Sequence, residues 1–266
     1  MCYSRASRTL PSASVIALAM LVGFLVTAPA ALIAGVPDDL DGGTVGLLVL
    51  AGGANLGGLL LVVTALRAGQ VSIVAPIVST EGAIAAVLAI LAGESLSPGA
   101  GVTLALVAAG IALASAGTGE VIAETTARQP RRAVALAVAA ALSFGVSLYA
   151  TGQVSDDLAI PWALLPARVI GVVVLAVPLL LARRLVVTRE ALPFVVLAGI
   201  GEVIGFAAFT LGARDAIAIS AVLASQFGVL AAVAAYALFG ETLSRRQTAG
   251  VAAIAVGVAA LTWIQA

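Results

Sequence analysis

Five residues able to do chemistry stand inside apolar runs of this chain. Glu81 lies in IVSTEGAIAA, Glu202 in LAGIGEVIGFAAF, Asn55 in GGANLGG, Arg168 in LLPARVIG and Gln226 in ASQFGVL. A carboxylate, amide or guanidinium in such surroundings is costly unless paired, so each is a candidate for function. The chemistry on offer is hydrogen bonding to a small polar ligand and reversible proton uptake by a carboxyl group. No bond-breaking set accompanies it. The chain has no histidine, and its single Cys2 stands at the start, which excludes a disulfide and a Cys/His metal site. It has no nucleophile with a base, no phosphate-binding P-loop sequence and no basic patch for nucleic acid. Neither an enzyme nor a cofactor is expected.

Each candidate has two readings. Glu81 falls about halfway along its run. A lone carboxyl group in hydrocarbon favours its neutral form, and its protonation and release would couple proton movement to transport. Alternatively, a neutral Glu81 bonds a neighbouring carbonyl or hydroxyl. Glu202 is a second proton-coupling candidate, and Asn55 stands 147 positions before it. The pair predicts two polar side chains facing one cavity, or else an interhelical hydrogen bond. Gly199 and Gly205 flank Glu202 and let a helix or ligand approach. Gln226, with Ser225 and Ser79, offers hydrogen bonds to a substrate, although small hydroxyls in such helices often bond their own backbone. Arg168 pairs with Glu202 or Glu81, meets an anionic group, or snorkels to the membrane surface. Phe206 and Phe209 follow Glu202 on a similar face and suit either an apolar wall or lipid.

What must position these residues follows from their solvent. Of the 266 residues, 62% are hydrophobic and 10% charged, far from the composition of a soluble domain. Nine uncharged or nearly uncharged runs fit the hydrocarbon thickness of a bilayer: about 15–34, 44–65, 71–92, 99–117, 134–152, 161–182, 192–212, 217–239 and 247–264. An all-α polytopic protein with nine membrane helices is expected. Pro76 marks a break or hinge in the third run, whereas Leu223 at the related position keeps the eighth continuous. Eleven of the 13 arginines fall on one side of this arrangement, and only Arg214 falls on the other. The positive-inside rule then puts the N-terminus in the cytoplasm and the C-terminus outside. Tyr149 and Trp162 suit the outer aromatic belt. The first run, with Arg5 and Arg8 before it and TAPAA after it, also has the look of a signal peptide. Its apolar continuation to Gly35 argues for a span.

The chain repeats itself. GESLS at Glu94 recurs as GETLS at Glu241, 147 positions later, and Arg67, Gly110 and LAG at 50–52 find partners at the same offset. Val15 and Ile16 are set against Val169 and Ile170 with a small gap. Corresponding loops carry opposite charge, as in PDDLDGG against RRLVVTRE. The two copies are therefore expected to lie in opposite orientations, an inverted repeat of four plus five helices. The organisation is 1–117, a linker at 118–133, and 134–266. Glu94 and Glu241 read as structural helix ends.

ALRAG and GARDA, an apolar span, GE-x-L-S and a Gly-rich last span resemble the EamA-type repeat of the drug/metabolite transporter superfamily. The resemblance implies ten helices in two repeats and the export of amino acids or other small metabolites. Against that pattern the first helix is missing. The expectation is a secondary transporter of a small metabolite or amino acid in the cytoplasmic membrane, working by alternating access, with proton coupling allowed and, in the family's manner, export as its direction. Its partners are a small-molecule substrate and the lipid bilayer, with no nucleic acid, and a homodimer is an allowed assembly. The alternative is a truncated, non-transporting protein that keeps the fold.

Overall fold

The computed structural model describes residues 11–37, 40–69, 71–116, 130–226 and 245–265. They form helices and connecting turns, with no strand among the described residues. In order these are α1 Ser12–Ala34, α2 Gly42–Ala68, α3 Val71–Val78, α4 Glu81–Leu91, α5 Pro98–Ala116, α6 Pro130–Gln153, α7 Ile160–Leu181, α8 Leu192–Ala213, α9 Ile217–Ala224 and α10 Arg245–Gln265. In hydrocarbon every backbone N–H must be satisfied within the chain, and the helix does this locally. Five helices (α1, α2, α6 from Arg131, α7 and α8) are long and apolar enough to cross a membrane.

The ends obey local chemistry. Prolines at Pro98, Pro130, Pro161 and Pro193 stand in first turns, where a missing N–H costs nothing. Asp41 caps α2 by accepting the Thr44 N–H at 2.7 Å, and Ser97 Oγ accepts the Ala100 N–H at 3.2 Å. Gly93, with φ of 108°, turns the chain out of α4 and explains the Gly of the GESLS motif. Within α7 the turn Val172–Ala176 is π-helical. Pro178 follows it and supplies no N–H, so the ladder widens just before it.

The third sequence run is not one helix hinged at Pro76. Helix α3 continues through Pro76 to Val78, and the break is the turn at Ser79–Thr80. The Ser79 and Thr80 hydroxyls donate to the carbonyls of Ala75 and Ile77, which stabilises that turn. Nor does the eighth run continue past Leu223. Helix α9 stops at Ala224 and turns at Ser225–Gln226. The rest of that run and Glu241 lie outside the described residues.

The chain divides into two compact units, within α2 and α6. One comprises Met1–Leu59 and Ala150–Asp215, the other Leu60–Tyr149 and Ala216–Ala266. In the first unit, Val15, Leu18 and Ala19 of α1 pack on Ala191 and Val195. A second cluster joins Leu48 of α2 to Ala163, Leu164 and Val203. In the second unit, α5 lies against α10 and α4 against α9 through Ala89, Leu104, Val107, Ile219 and Ile254. Val74 and Val78 pack on Ala133, Ala137 and Ala140 of α6.

Candidate functional site

The first unit holds a buried ion pair. Arg168, on the last α-helical turn of α7 before the π-helical stretch, is 1% exposed. Its Nη1 donates to Glu202 Oε1 at 2.6 Å and touches Met20 Sδ at 3.5 Å. The Phe206 ring, one turn beyond Glu202, has its centroid 5.6 Å from Arg168 Cζ. Arg168 therefore does not snorkel to the surface. Glu202 supplies the counter-charge inside the unit, which removes the cost that would drive the guanidinium outward. Arg168 Nε is buried and has no hydrogen-bond partner among the described residues.

Glycines bring these helices together. A Cβ at Gly23 would lie 2.9 Å from Arg168 Cδ, and one at Gly171 would lie 2.6 Å from Met20 Cγ. Moving Gly23 forward 148 positions gives Gly171, and the same step takes Met20 to Arg168. The contact pair is thus its own image, with α1 and α7 antiparallel at the crossing. A second pair behaves alike. Gly52 abuts Ala167 and Ile170, while Gly199 abuts Ala19 and Val22. The register of α1 on α7 is therefore 148, which corrects the alignment of Val15 and Ile16 with Val169 and Ile170. The offset drops from 148 at Met20 and Gly23 to 147 at Gly52. It also shows what the sequence reading missed: Met20 stands where the second half has Arg168. Asn55, the counterpart of Glu202, is buried one turn beyond Gly52.

The second unit gathers Ser79, Glu81, Ser225 and Gln226 at two helix breaks. Glu81 is the first residue of α4 rather than the middle of a helix. Among the described residues no hydrogen bond or ion pair reaches its carboxyl group. Gly82 lies against the Ala221 carbonyl and Ser225 Oγ, so the start of α4 meets the end of α9. Ser79 and Ser225 donate to their own helices, at Ala75 O and Val222 O, and keep oxygen lone pairs for another donor. Gln226 Nε2 is buried without a hydrogen-bond partner among the described residues. The last helices show a third self-related contact. Gly110 meets Ile254 and Gly250, and Gly257 meets Val107 and Thr103. Adding 147 to 103, 107 and 110 gives 250, 254 and 257.

Other expected positions are structural. Glu94 of GESLS accepts the Ala218 N–H at 3.2 Å through both carboxylate oxygens, capping α9. Arg214 donates to the carbonyls of Ser155 and Leu158, and Trp162 Nε1 donates to Gly35 O at 2.6 Å. Phe209 is buried. No cluster of three metal-ligating side chains occurs among the described residues.

Residues 1–116 match the EamA-like transporter family. No curated protein matches. One solved structure, described only as the crystal structure of a protein, is similar at a TM-score of 0.75 and 18% identity. The match covers 98% of this chain and 91% of that one. At that identity the likeness speaks for the fold alone.

Proposed function

We propose that this chain, whose residues 1–116 carry the EamA-like transporter match, is a secondary transporter of a small metabolite in the cytoplasmic membrane. It works by alternating access of two inverted repeats, nine spans in all, with the N-terminus inside and export as the direction. The observation that carries the reading is the set of self-related contacts. Gly110 with Ile254 repeats as Gly257 with Val107, and Gly52 with Ala167 repeats as Gly199 with Ala19. A helix pair that maps onto itself with its direction reversed is what an inverted duplication produces, and such folds rock one repeat against the other.

Substrate contacts are assigned to Arg168, Glu202, Phe206 and Asn55 in one unit and to Ser79, Glu81, Ser225 and Gln226 in the other. Glu81 and Glu202 are the proton-coupling candidates. Two features support these roles: unpartnered buried donors at Arg168 and Gln226, and a carboxyl group at a helix break. The experiment is reconstitution of the full chain in sealed vesicles with a panel of labelled metabolites, with and without a pH gradient. Saturable flux that the gradient accelerates, and that Glu81→Gln or Glu202→Gln uncouples, is the expected result. Flux no greater than that of empty vesicles across the panel rejects the reading.

A further inference from the structure

We propose that the unpaired edge of the Arg168 guanidinium is a carboxylate-binding site, which makes the ligand a small organic acid anion. The proposal deepens the transporter reading and rests on it for its physiological sense, while the binding itself is tested separately.

Arginine carries five N–H donors in a fixed planar fork. Here Nη1 is committed to Glu202 Oε1 at 2.6 Å and Met20 Sδ at 3.5 Å. Among the described residues, Nε is buried with no hydrogen-bond partner and no hydrogen bond from Nη2 occurs. The Nε and Nη2 hydrogens point the same way, at the spacing of two carboxylate oxygens. A neutral amide presents only one oxygen to that edge.

The edge is buried, with a glycine rather than a side chain beside it. Gly23 faces the Nε side, and a Cβ there would lie 3.1 Å from Nε. Phe206 stands 5.6 Å from Cζ. Glu202 holds Nη1 and fixes the plane of the fork. Two carboxylates on one guanidinium is chemistry that arginine supports and lysine does not. The related residue of the first repeat, Met20, has no such donor, so the duplicated scaffold carries the anion site once.

The test uses the purified full chain in detergent, with thermal melting as the binding readout. Benzoate and succinate at millimolar concentration are compared with benzamide and succinamide. The control variant is Arg168→Met with Glu202→Asn, which installs the residues found at Met20 and Asn55 and leaves no lone charge. A rise of several degrees with an acid, absent with its amide and absent in the variant, is expected. Arg168→Lys retains the charge without the fork and should weaken the response about tenfold; it serves if the double variant does not fold. No response to either acid, an equal response to the amides, a response that survives in the double variant, or one undiminished in Arg168→Lys overturns the site. Vesicle uptake of the same probes decides the other question. Acid-dependent stabilisation without uptake of the acid rejects the transporter reading and leaves the site. Uptake of neutral solutes with no response to acids does the reverse.

Discussion

Met20 and Arg168 occupy corresponding points of two antiparallel helices and touch, Nη1 to Sδ at 3.5 Å. Gly23 and Gly171 make the crossing close enough for that contact. The glycine contacts recur on both helices, yet the residues between them differ. Arg168 with Glu202 in one copy corresponds to Met20 with Asn55 in the other. A thioether adapts its shape and offers a soft acceptor, so methionine can face its charged counterpart without a second cation repelling it.

That asymmetry yields the first prediction. Arg168→Met alone removes the guanidinium from beside Glu202. Breaking a buried pair from one side costs roughly 3–5 kcal/mol, and the 15% exposure of the Glu202 side chain places the expected loss at the low end. Arg168→Met with Glu202→Asn should recover most of it. Thermal unfolding of the purified proteins gives the comparison. A double variant as unstable as the single one would show that the pair is not the source of the loss.

The glycine contacts make a second prediction. A Cβ at Gly52 would fall 2.8 Å from Ala167 Cα, and one at Gly199 would fall 2.8 Å from the Ala19 carbonyl oxygen. Both obstacles are backbone, so no rotamer change relieves them. Gly52→Ala and Gly199→Ala should each destabilise by about 1–3 kcal/mol. Gly53 and Gly201 face open space, and alanine at either should be neutral or slightly stabilising, by up to about 1 kcal/mol. Equal melting temperatures for all four would remove the close crossings from the account.

How far the sequence reached can be judged at these positions. The 147-residue spacing was legible because GE-x-L-S, arginine and glycine landmarks recur in order. The pairing of Arg168 with Glu202 stood among the alternatives, because a buried guanidinium needs a partner. Met20 was not legible. An apolar residue in an apolar run carries no signal until the one-residue change of offset, from 148 to 147, is known. The turn at Ser79–Thr80 was hidden for another reason. Proline is the conspicuous helix breaker, yet Pro76 is accommodated within α3 and the hydroxyls three and four residues later mark the actual stop. Helices rich in alanine also show little contrast between faces, so which side of each is buried could not be read from periodicity.

The third prediction concerns Glu94. Helix α9 has only eight residues and no side-chain cap of its own. Its Ala218 N–H is instead held between both Glu94 oxygens at 3.2 Å, from 124 positions away. The carboxylate also meets the positive end of the helix dipole. Glu94→Ala should cost about 1 kcal/mol. Glu94→Gln keeps an acceptor but loses the charge, so it should cost roughly half as much. Melting temperatures separate the two, and limited proteolysis near residues 92–97 should rise in the same order. A Glu94→Ala protein that melts like the parent would assign the motif another role.

Asp41 gives a dependence on pH whose sign can be worked out. The Thr44 side chain and then its backbone N–H, at 2.7 Å from Oδ1, hold the Asp41 carboxyl group below its ordinary range. Folding therefore favours the carboxylate. The stabilisation is complete above the ordinary carboxylate range and is lost as pH falls through the lowered value. The group is fully exposed, so the effect is confined to the fraying of the first turn of α2. Hydrogen exchange at Thr44 should quicken on acidification in the parent relative to the intrinsic rate. In Asp41→Asn, which caps without ionising, protection at Thr44 should not change over the same interval. Loss of protection in both proteins alike would assign the acid response to another group.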